Sequence, residues 1–377
     1  MKIINYTASA ILVVIGFYLL DVGESLLLPL VIAIVLWYLI NTLARAFARL
    51  RLGSFSFPMP VCLGASFITF LGVLWAVANF LSASFGEVLT AAPVYQQNLV
   101  ERLQGLPFVD MAMFTEGNLS QLIDEWIDLP SYARTLASSE AGVLASGGLI
   151  IIYIGFLFFE QGYFKKKIAA LAKDPQREAD VNGIINRIRD DIQKYISIKV
   201  FTSTLTGLLS FAFLFIVGID FAGIWGLLIF LLNFIPTVGS IVATIFPAMI
   251  ALAQSDGYTL FVLVLAGVGT LQMCIGNILE PRMMGSSFNL SPIVILLNLA
   301  LWGSVWGVIG MFLCVPFLIS FTISLSHFPQ TRPIAIMLSS DGDLRVPEDE
   351  VETFSFTNPD TILLGSGTEN ETDDQAQ

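Results

Sequence analysis

The residues best suited to binding a solute lie in a short polar turn within an apolar stretch. In Asn233-Phe-Ile-Pro-Thr-Val-Gly-Ser240, Asn233, Thr237 and Ser240 offer hydrogen-bonding groups, and Pro236 frees a backbone carbonyl. Gly239 permits dihedral angles that other residues avoid. If the surrounding stretch crosses a bilayer, such a break must be buried in protein or line a water-filled cavity. A helix that restarts there directs N–H groups at the gap, which suits a polar or anionic solute. A purely structural turn is the alternative.

A row of polar side chains precedes this turn on a Phe- and Leu-rich stretch. Lys199, Ser203, Thr206 and Ser210 follow at steps of four, three and four residues, which places them on one face of an α-helix. One interpretation is a wet face along a solute pathway, for which we single out Lys199, Ser203 and Thr206. Small polar residues also join membrane helices through hydrogen bonds, and that interpretation stays open.

A second polar group follows the turn. Gln272 and Asn277 carry amides, and Glu280 and Arg282 flank Pro281. Proline lacks an N–H and clashes with the carbonyl four residues earlier, so the sequence predicts that the helix ends at Pro281. Glu280 and Arg282 then form an interfacial ion pair, or they gate the cytoplasmic mouth of a pathway, or Glu280 takes up a proton.

Two further polar residues interrupt apolar runs. Glu160 stands before a lysine triplet, which favours a side chain that snorkels to a membrane interface; proton coupling is the alternative. Asn298 is the remaining polar residue of interest within a long apolar region.

The sequence lacks the residues of a metal centre or a hydrolytic enzyme. His327 is the single histidine, and the three cysteines lie in apolar runs without paired spacing. There is no H-E-x-x-H motif and no pair of intramembrane aspartates. We therefore expect no metal, no cofactor and no enzymatic activity.

The composition requires a lipid environment. Hydrophobic residues make up 55% of the 377 positions and charged residues only 13%, against roughly 25% charged in soluble domains. A soluble chain would have to coat its surface with more polar groups than this. Most of the formal charge of −12 comes from 341–377, which holds eleven acids and one base. No nucleic-acid partner is expected.

The apolar runs predict an all-α membrane protein with about eight membrane segments. A crossing needs about 20 apolar residues, and six runs qualify: 5–21, 25–43, 58–82, 143–164, 200–218 and 258–279. The regions 221–254 and 288–325 are too long for one crossing, and each is interrupted near its middle. Their halves would span about 22 Å, short of a bilayer core of about 30 Å. We predict that both are re-entrant helical hairpins.

Charge in the loops predicts the orientation. Basic residues concentrate near 45–51 and in 165–199, whereas 84–142 is acidic. Because cytoplasmic loops are enriched in Lys and Arg, both termini are predicted in the cytoplasm. The predicted segments are N-terminal membrane helices (1–83), an extracytoplasmic helical segment (84–142), a membrane helix (143–164), a cytoplasmic amphipathic helical segment (165–199), a C-terminal core of helices and hairpins (200–326), a cytoplasmic end segment (327–340) and an acidic disordered tail (341–377).

Four stretches of the C-terminal half carry a family resemblance. They are Y-I-S-I-K-V-F-T-S-T-L-T-G (195–207), W-G-L-L-I-F-L-L-N-F-I-P-T-V-G-S (225–240), G-N-I-L-E-P-R-M-M-G (276–285) and G-V-I-G-M-F-L-C-V-P-F (307–317). In order and spacing they resemble the autoinducer-2 exporter family of bacterial membrane proteins, with agreement in layout over about 5–340. Thr237 stands where that family commonly has Asn after Pro, and the acidic extension after 341 lies outside its core.

The resemblance implies a transporter of the bacterial inner membrane that assembles as a homo-oligomer, namely a pentamer. Family members are linked to export of the quorum-sensing furanone autoinducer-2, and some relatives to sodium/proton antiport.

Two hypotheses of function follow. The first is an exporter of a small polar organic solute, because neutral hydrogen-bonding groups outnumber intramembrane acids. The second is a cation/proton antiporter, in which Glu160, Asp220 or Glu280 would titrate. All three acids are predicted to be peripheral, which favours the first hypothesis. A purely structural or scaffold protein is a third possibility.

Overall fold

A computed structural model describes residues 2–49, 57–104, 140–172, 175–285, 289–328 and 330–344. These residues form helices joined by short turns, with one isolated β-bridge between Leu290 and Ser339 and no β-strand in the part described. The all-α prediction is confirmed. Residues 345–377 of the predicted tail and residues 105–139 of the predicted extracytoplasmic segment lie outside the described residues.

Four helices form the N-terminal half: α1 (Lys2–Val22), α2 (Glu24–Arg49), α3 (Met59–Gln104) and α4 (Glu140–Ala172). Apolar side chains of α2 pack between α3 and α4 around Ala33, Ile40 and Ile154. Helix α3 runs for 46 residues without a break. The predicted boundary between 83 and 84 therefore falls inside a single helix.

The C-terminal half contains α5 (Pro175–Val217), α6 (Ala222–Leu232), α7 (Val238–Gln254), α8 (Tyr258–Cys274), a π-helical turn (Ile275–Leu279), α9 (Glu280–Met284), α10 (Pro292–Ser326) and α11 (Arg332–Leu338). Helix α5 joins the amphipathic segment and the next apolar run into one rod. Its apolar residues pack with α6, α7 and α8 around Leu214, Ile229 and Val264.

Six described helices are long and apolar enough to cross a membrane: Glu24–Arg49, Met59–Val88, Gly147–Phe164, Val181–Val217, Tyr258–Met284 and Pro292–Ser326. Large apolar side chains such as Phe159 and Ile216 are mostly exposed, as lipid-facing residues are. Helices α6 and α7 have 11 and 17 residues, or about 17 and 26 Å, so neither spans a core of about 30 Å.

Both predicted breaks are present. The first hairpin consists of α6 and α7, separated by residues 233–237. The second hairpin is α10, which folds back on itself at Trp306 (φ −128°, ψ 21°) and Gly307 (φ 59°, ψ −140°). Trp302 and Phe317 of its two arms meet with ring centroids 4.3 Å apart.

The prediction that Pro281 ends its helix is wrong. Helix α8 continues through the π-helical turn into α9 and ends at Gly285, whose φ is +59°. A π-helical turn bonds residues five apart, and the Glu280 N–H reaches the Ile275 carbonyl. The wider turn accommodates the missing N–H and the bulk of the proline ring.

Candidate functional site

A cavity of about 700 Å³ lies among α5, the tip of the first hairpin, α8 with its π-helical turn, and the start of α10. This main cavity falls within the range of about 300–1,000 Å³ typical of small-molecule sites. Its polar lining is Tyr195, Lys199, Asn233, Thr237, Ser240, Thr244, Gln272, Asn277 and Glu280. Eight of the predicted site residues therefore meet at one place, seven of these polar residues and Pro236.

The hairpin tip owes its shape to a close backbone approach. A Cβ atom at Gly239 would lie 1.8 Å from the carbonyl oxygen of Leu232, so only glycine fits where α7 begins against the end of α6. Thr237 has φ 58° and ψ −59°, and the Val238 N–H donates to the Pro236 carbonyl at 2.5 Å. This is a γ-turn with a positive central φ, a rare and strained form, and it is unfavourable for a β-branched residue.

Asn233 fastens the tip to α5. Its Nδ2 donates to the Ser203 hydroxyl at 3.0 Å, and both residues are buried. Ser203 is therefore a helix–helix contact that holds a residue of the cavity wall. Ser203 itself is fully buried and is not among the residues that line the cavity, so its contact is of the helix–helix kind.

The opposite wall is tied to the start of α7. Gln272 Nε2 donates to the Ser240 carbonyl at 3.2 Å, and the Thr244 hydroxyl donates to the same oxygen at 2.8 Å. The Ser240 hydroxyl donates to the Thr237 carbonyl at 2.8 Å. Asn277, on the π-helical turn, lines the cavity with an exposed side chain. Amide and hydroxyl groups thus converge on one space from two sides.

A nearly buried ion pair closes the lining. Lys199 Nζ lies 2.7 Å from Glu280 Oε1, with side-chain exposures of 8% and 12%. The Thr202 hydroxyl donates to Glu280 Oε2 at 3.3 Å. The predicted partnership of Glu280 with Arg282 is wrong, because residues two apart point to different sides of a helix and Arg282 is exposed. The prediction that Glu280 is peripheral in the membrane stays a prediction, although its side chain is nearly buried in protein.

Three candidates lie away from the main cavity. The Thr206 hydroxyl is buried and donates to the Thr202 carbonyl of its own helix. Glu160 is exposed and pairs with Lys167. Asn298 Nδ2 donates to the Cys314 carbonyl and lines a second cavity of about 420 Å³ within the second hairpin.

The sequence reasoning did not predict two residues that line the cavity, Tyr195 and Thr244, or Thr202, which donates to Glu280 of the ion pair. Thr202 lies three residues after Lys199 and Thr244 four after Ser240, so helical spacing from residues already chosen would have found both. Tyr195 lies four residues before Lys199 and follows the same rule. None interrupts its apolar run as conspicuously as an amide or a carboxylate does.

Helix α3 contacts the base of the first hairpin, at the end away from the tip. The Tyr95 hydroxyl donates to Asp220, Asn98 Nδ2 donates to the Ala253 carbonyl at 3.0 Å, and Arg102 pairs with Asp256 at 2.6 Å. Desolvation by burial, together with the bond to Asp220, raises the pKa of Tyr95 to about 12. The phenol therefore stays protonated and keeps donating throughout the physiological pH range.

Within the described residues, no group of three or more His, Cys, Asp or Glu side chains could hold a metal ion. The chemistry available in the main cavity is hydrogen bonding by neutral groups beside one ion pair.

Comparisons with known proteins agree with a solute pathway. The model of a family described as AI-2E family transporter matches residues 8–330. The chain is 31% identical over 321 residues to "Putative transport protein YhhT" of Escherichia coli K12, covering 84% of this chain and 88% of the relative. It is 30% identical over 325 residues to "AI-2 transport protein TqsA" of the same strain, covering 84% of this chain and 90% of the relative.

Proposed function

The chain belongs to the AI-2E family of transporters, and on that premise we propose that it moves a small polar organic solute through the main cavity. The observation that carries the proposal is the meeting of Asn233, Thr237 and Ser240 at the broken hairpin with Gln272 and Asn277 opposite. Neutral donors and acceptors in a largely apolar concave site are what orient a small polar ligand.

The solute we propose is autoinducer-2-like, and the direction is export across the bacterial inner membrane. The printed name of the relative TqsA, which refers to AI-2 transport, supports the solute class. The main cavity contacts α5 at Tyr195 and Lys199, directly after the basic segment that contains Arg187, Arg189 and Lys194. A solute would enter there from the cytoplasm if basic segments lie inside.

We also propose a homo-oligomer with both termini in the cytoplasm. Ile241 and Met273 line the main cavity yet are 54% and 64% exposed, so lipid or a second copy of the chain must cover that side. Membrane-impermeant thiol labelling tests the orientation. A cysteine at Gln97 should label from outside and one at Lys166 only after permeabilisation; external labelling at 166 would overturn the topology.

Cation/proton antiport is the second candidate, and one observation favours it. Glu280 lines the main cavity against Lys199, and its side chain is only 12% exposed. A buried carboxylate inside a membrane protein is a frequent site of proton coupling.

Solute flux in liposomes, with and without an imposed pH gradient, separates the two candidates. Gln272→Ala should lower the flux of a neutral polar probe several-fold, because a lost hydrogen bond costs about 0.5–1.5 kcal/mol. The matched control is Ser210→Ala on α5, whose buried hydroxyl has no hydrogen-bond partner in the described part of the chain. Equal flux in both variants, with cation-driven proton movement that Glu280→Gln abolishes, would establish the antiporter instead.

A further inference from the structure

We infer that the Lys199–Glu280 pair is a charge filter, so that the solute of the main cavity carries no net charge. The inference rests on the proposed function, since it assumes that the main cavity is the solute pathway. It adds the net charge of the solute and names the two residues that determine it.

The first step concerns the charges that a solute would meet. Of the described residues that line the main cavity, only Lys199 is basic and only Glu280 is acidic. Their 2.7 Å separation and low exposure mean that each charge is matched by the other. The lining is therefore neutral as a whole, although it contains two full charges.

The second step concerns what a charged solute would lose. The N–H groups of Val238, Gly239 and Ile241 at the start of α7 already donate to backbone carbonyls, so they are not free to bind an anion. An anion or a cation that enters therefore gives up hydration and finds no unmatched charge, and burial of an unpaired charge is strongly unfavourable. To bind it, one member of the pair would have to turn away and leave the other buried without a counter-ion, which is also costly. A neutral solute avoids both losses because Thr237, Gln272 and Asn277 can satisfy its polar groups.

The third step concerns the fixed position of the pair. Glu280 follows the π-helical turn and precedes Pro281, and its second carboxylate oxygen accepts from Thr202. Lys199 lies one helical turn before Ser203, which holds the hairpin tip through Asn233. The two charges thus come from separate helices that are both tied to the cavity wall, so the pair is a constant feature of the lining.

The test compares three probes of similar size in liposomes: erythritol (neutral), lactate (anionic) and choline (cationic). The measured quantity is the ratio of each ion flux to the erythritol flux in the same vesicles, which cancels differences in the amount of active protein. Glu280→Gln leaves Lys199 unmatched and should raise the lactate ratio on the order of tenfold or more. Lys199→Met should raise the choline ratio to a similar extent. The double variant should restore both ratios to their original values.

Asn277→Asp is the second variant, because removing one member of a buried ion pair leaves the other charge unpaired and is strongly destabilising. It is nearly isosteric, lies at an exposed position of the lining, and adds one unmatched negative charge; it should raise the choline ratio. The filter would be overturned if the ion-to-erythritol flux ratios were unchanged in Asn277→Asp and in each of the two single variants that assembles. That result would leave the transporter proposal intact. If the unmodified protein passes none of the three probes, the proposed function fails and the filter falls with it.

Discussion

The two hairpins share one construction and differ in what surrounds their tips. A Cβ atom at Gly239 would lie 1.8 Å from the Leu232 carbonyl oxygen, and one at Gly310 would lie 2.0 Å from that of Trp302. Each tip also contains a residue with positive φ, Thr237 at 58° and Gly307 at 59°. In both, glycine lets the two arms touch through their backbones.

The two tips differ in the side chains that surround them. The second tip is packed with aromatic rings, since Trp302 lies 5.2 Å from Trp306 and 4.3 Å from Phe317 between ring centroids. Trp306 Nε1 also donates to the Leu20 carbonyl of α1 at 3.2 Å. The first tip keeps a strained Thr237 beside open space and polar groups. Strain beside a cavity is typical of functional sites, so the comparison favours the first hairpin for the proposed binding and the second for anchoring.

The largest expected effect tests the shared construction. Gly239→Ala and Gly310→Ala should each cost about 3 kcal/mol or more of folding stability, because a backbone carbonyl cannot move aside as a side chain can. Thermal unfolding of the purified protein in detergent measures this loss. Gly155→Ala in α4 is the control, since a Cβ there meets nothing within 4 Å. A small loss of folding stability in only one of the two variants would show that the two tips are not built alike.

The next prediction concerns the residue with positive φ in each hairpin. Substitution of Gly307 should lower the folding stability, whereas substitution of Thr237 by glycine should not. Gly307→Ala should destabilise by about 1–2 kcal/mol through backbone strain alone, because a Cβ there has open space around it. Thr237→Gly relieves strain of similar size but adds about 0.5–1 kcal/mol of chain entropy cost, so stability should stay level or rise. Thermal unfolding of both variants provides the check; an equal loss in both would mean that Thr237 is unstrained.

The prediction of intermediate size compares Asn233 in the first hairpin with Asn298 in the second. Asn233→Ala and Asn298→Ala each remove one hydrogen bond, worth about 0.5–1.5 kcal/mol, and should destabilise alike. Only Asn233→Ala should also lower liposome flux, several-fold and at most about tenfold. Equal loss of flux in Asn298→Ala would place the second cavity on the pathway as well.

The smallest effect concerns two serines with the same local bond. The hydroxyls of Ser240 and Ser304 each donate to the carbonyl three residues earlier at 2.8 Å. Replacement by Ala should change stability by less than about 0.5 kcal/mol in both. Flux should fall about twofold in Ser240→Ala, which borders the main cavity, and stay constant in Ser304→Ala.

Local signals made most of the architecture predictable from the sequence. Pro236 and Gly239 interrupt an apolar run that is too long for one crossing, and Gly307 does the same in the next, so both breaks were identified. In lipid, the backbone N–H and C=O groups of a spanning segment must be hydrogen-bonded within the protein, and an α-helix satisfies them within the segment itself. The long apolar runs therefore predict an all-α membrane protein.

Partners that are distant in sequence were not predictable in this way. Glu280 has a base two residues away, but its actual partner, Lys199, lies 81 positions earlier. The error at Pro281 has a similar origin, since a π-helical turn depends on packing around the helix as well as on the proline. Asn298 resembles Asn233 in sequence context, and only the fold assigns them to different cavities.

The grip of α3 on the first hairpin has a mechanical consequence. Tyr95 holds Asp220 before α6, while Asn98 and Arg102 hold Ala253 and Asp256 at the end of α7. The hairpin is therefore fixed at its base by α3 and held at its tip by the Asn233–Ser203 and Gln272–Ser240 hydrogen bonds. A solute that competes for the hydrogen bonds at the tip would loosen that end alone, while the base stays in place.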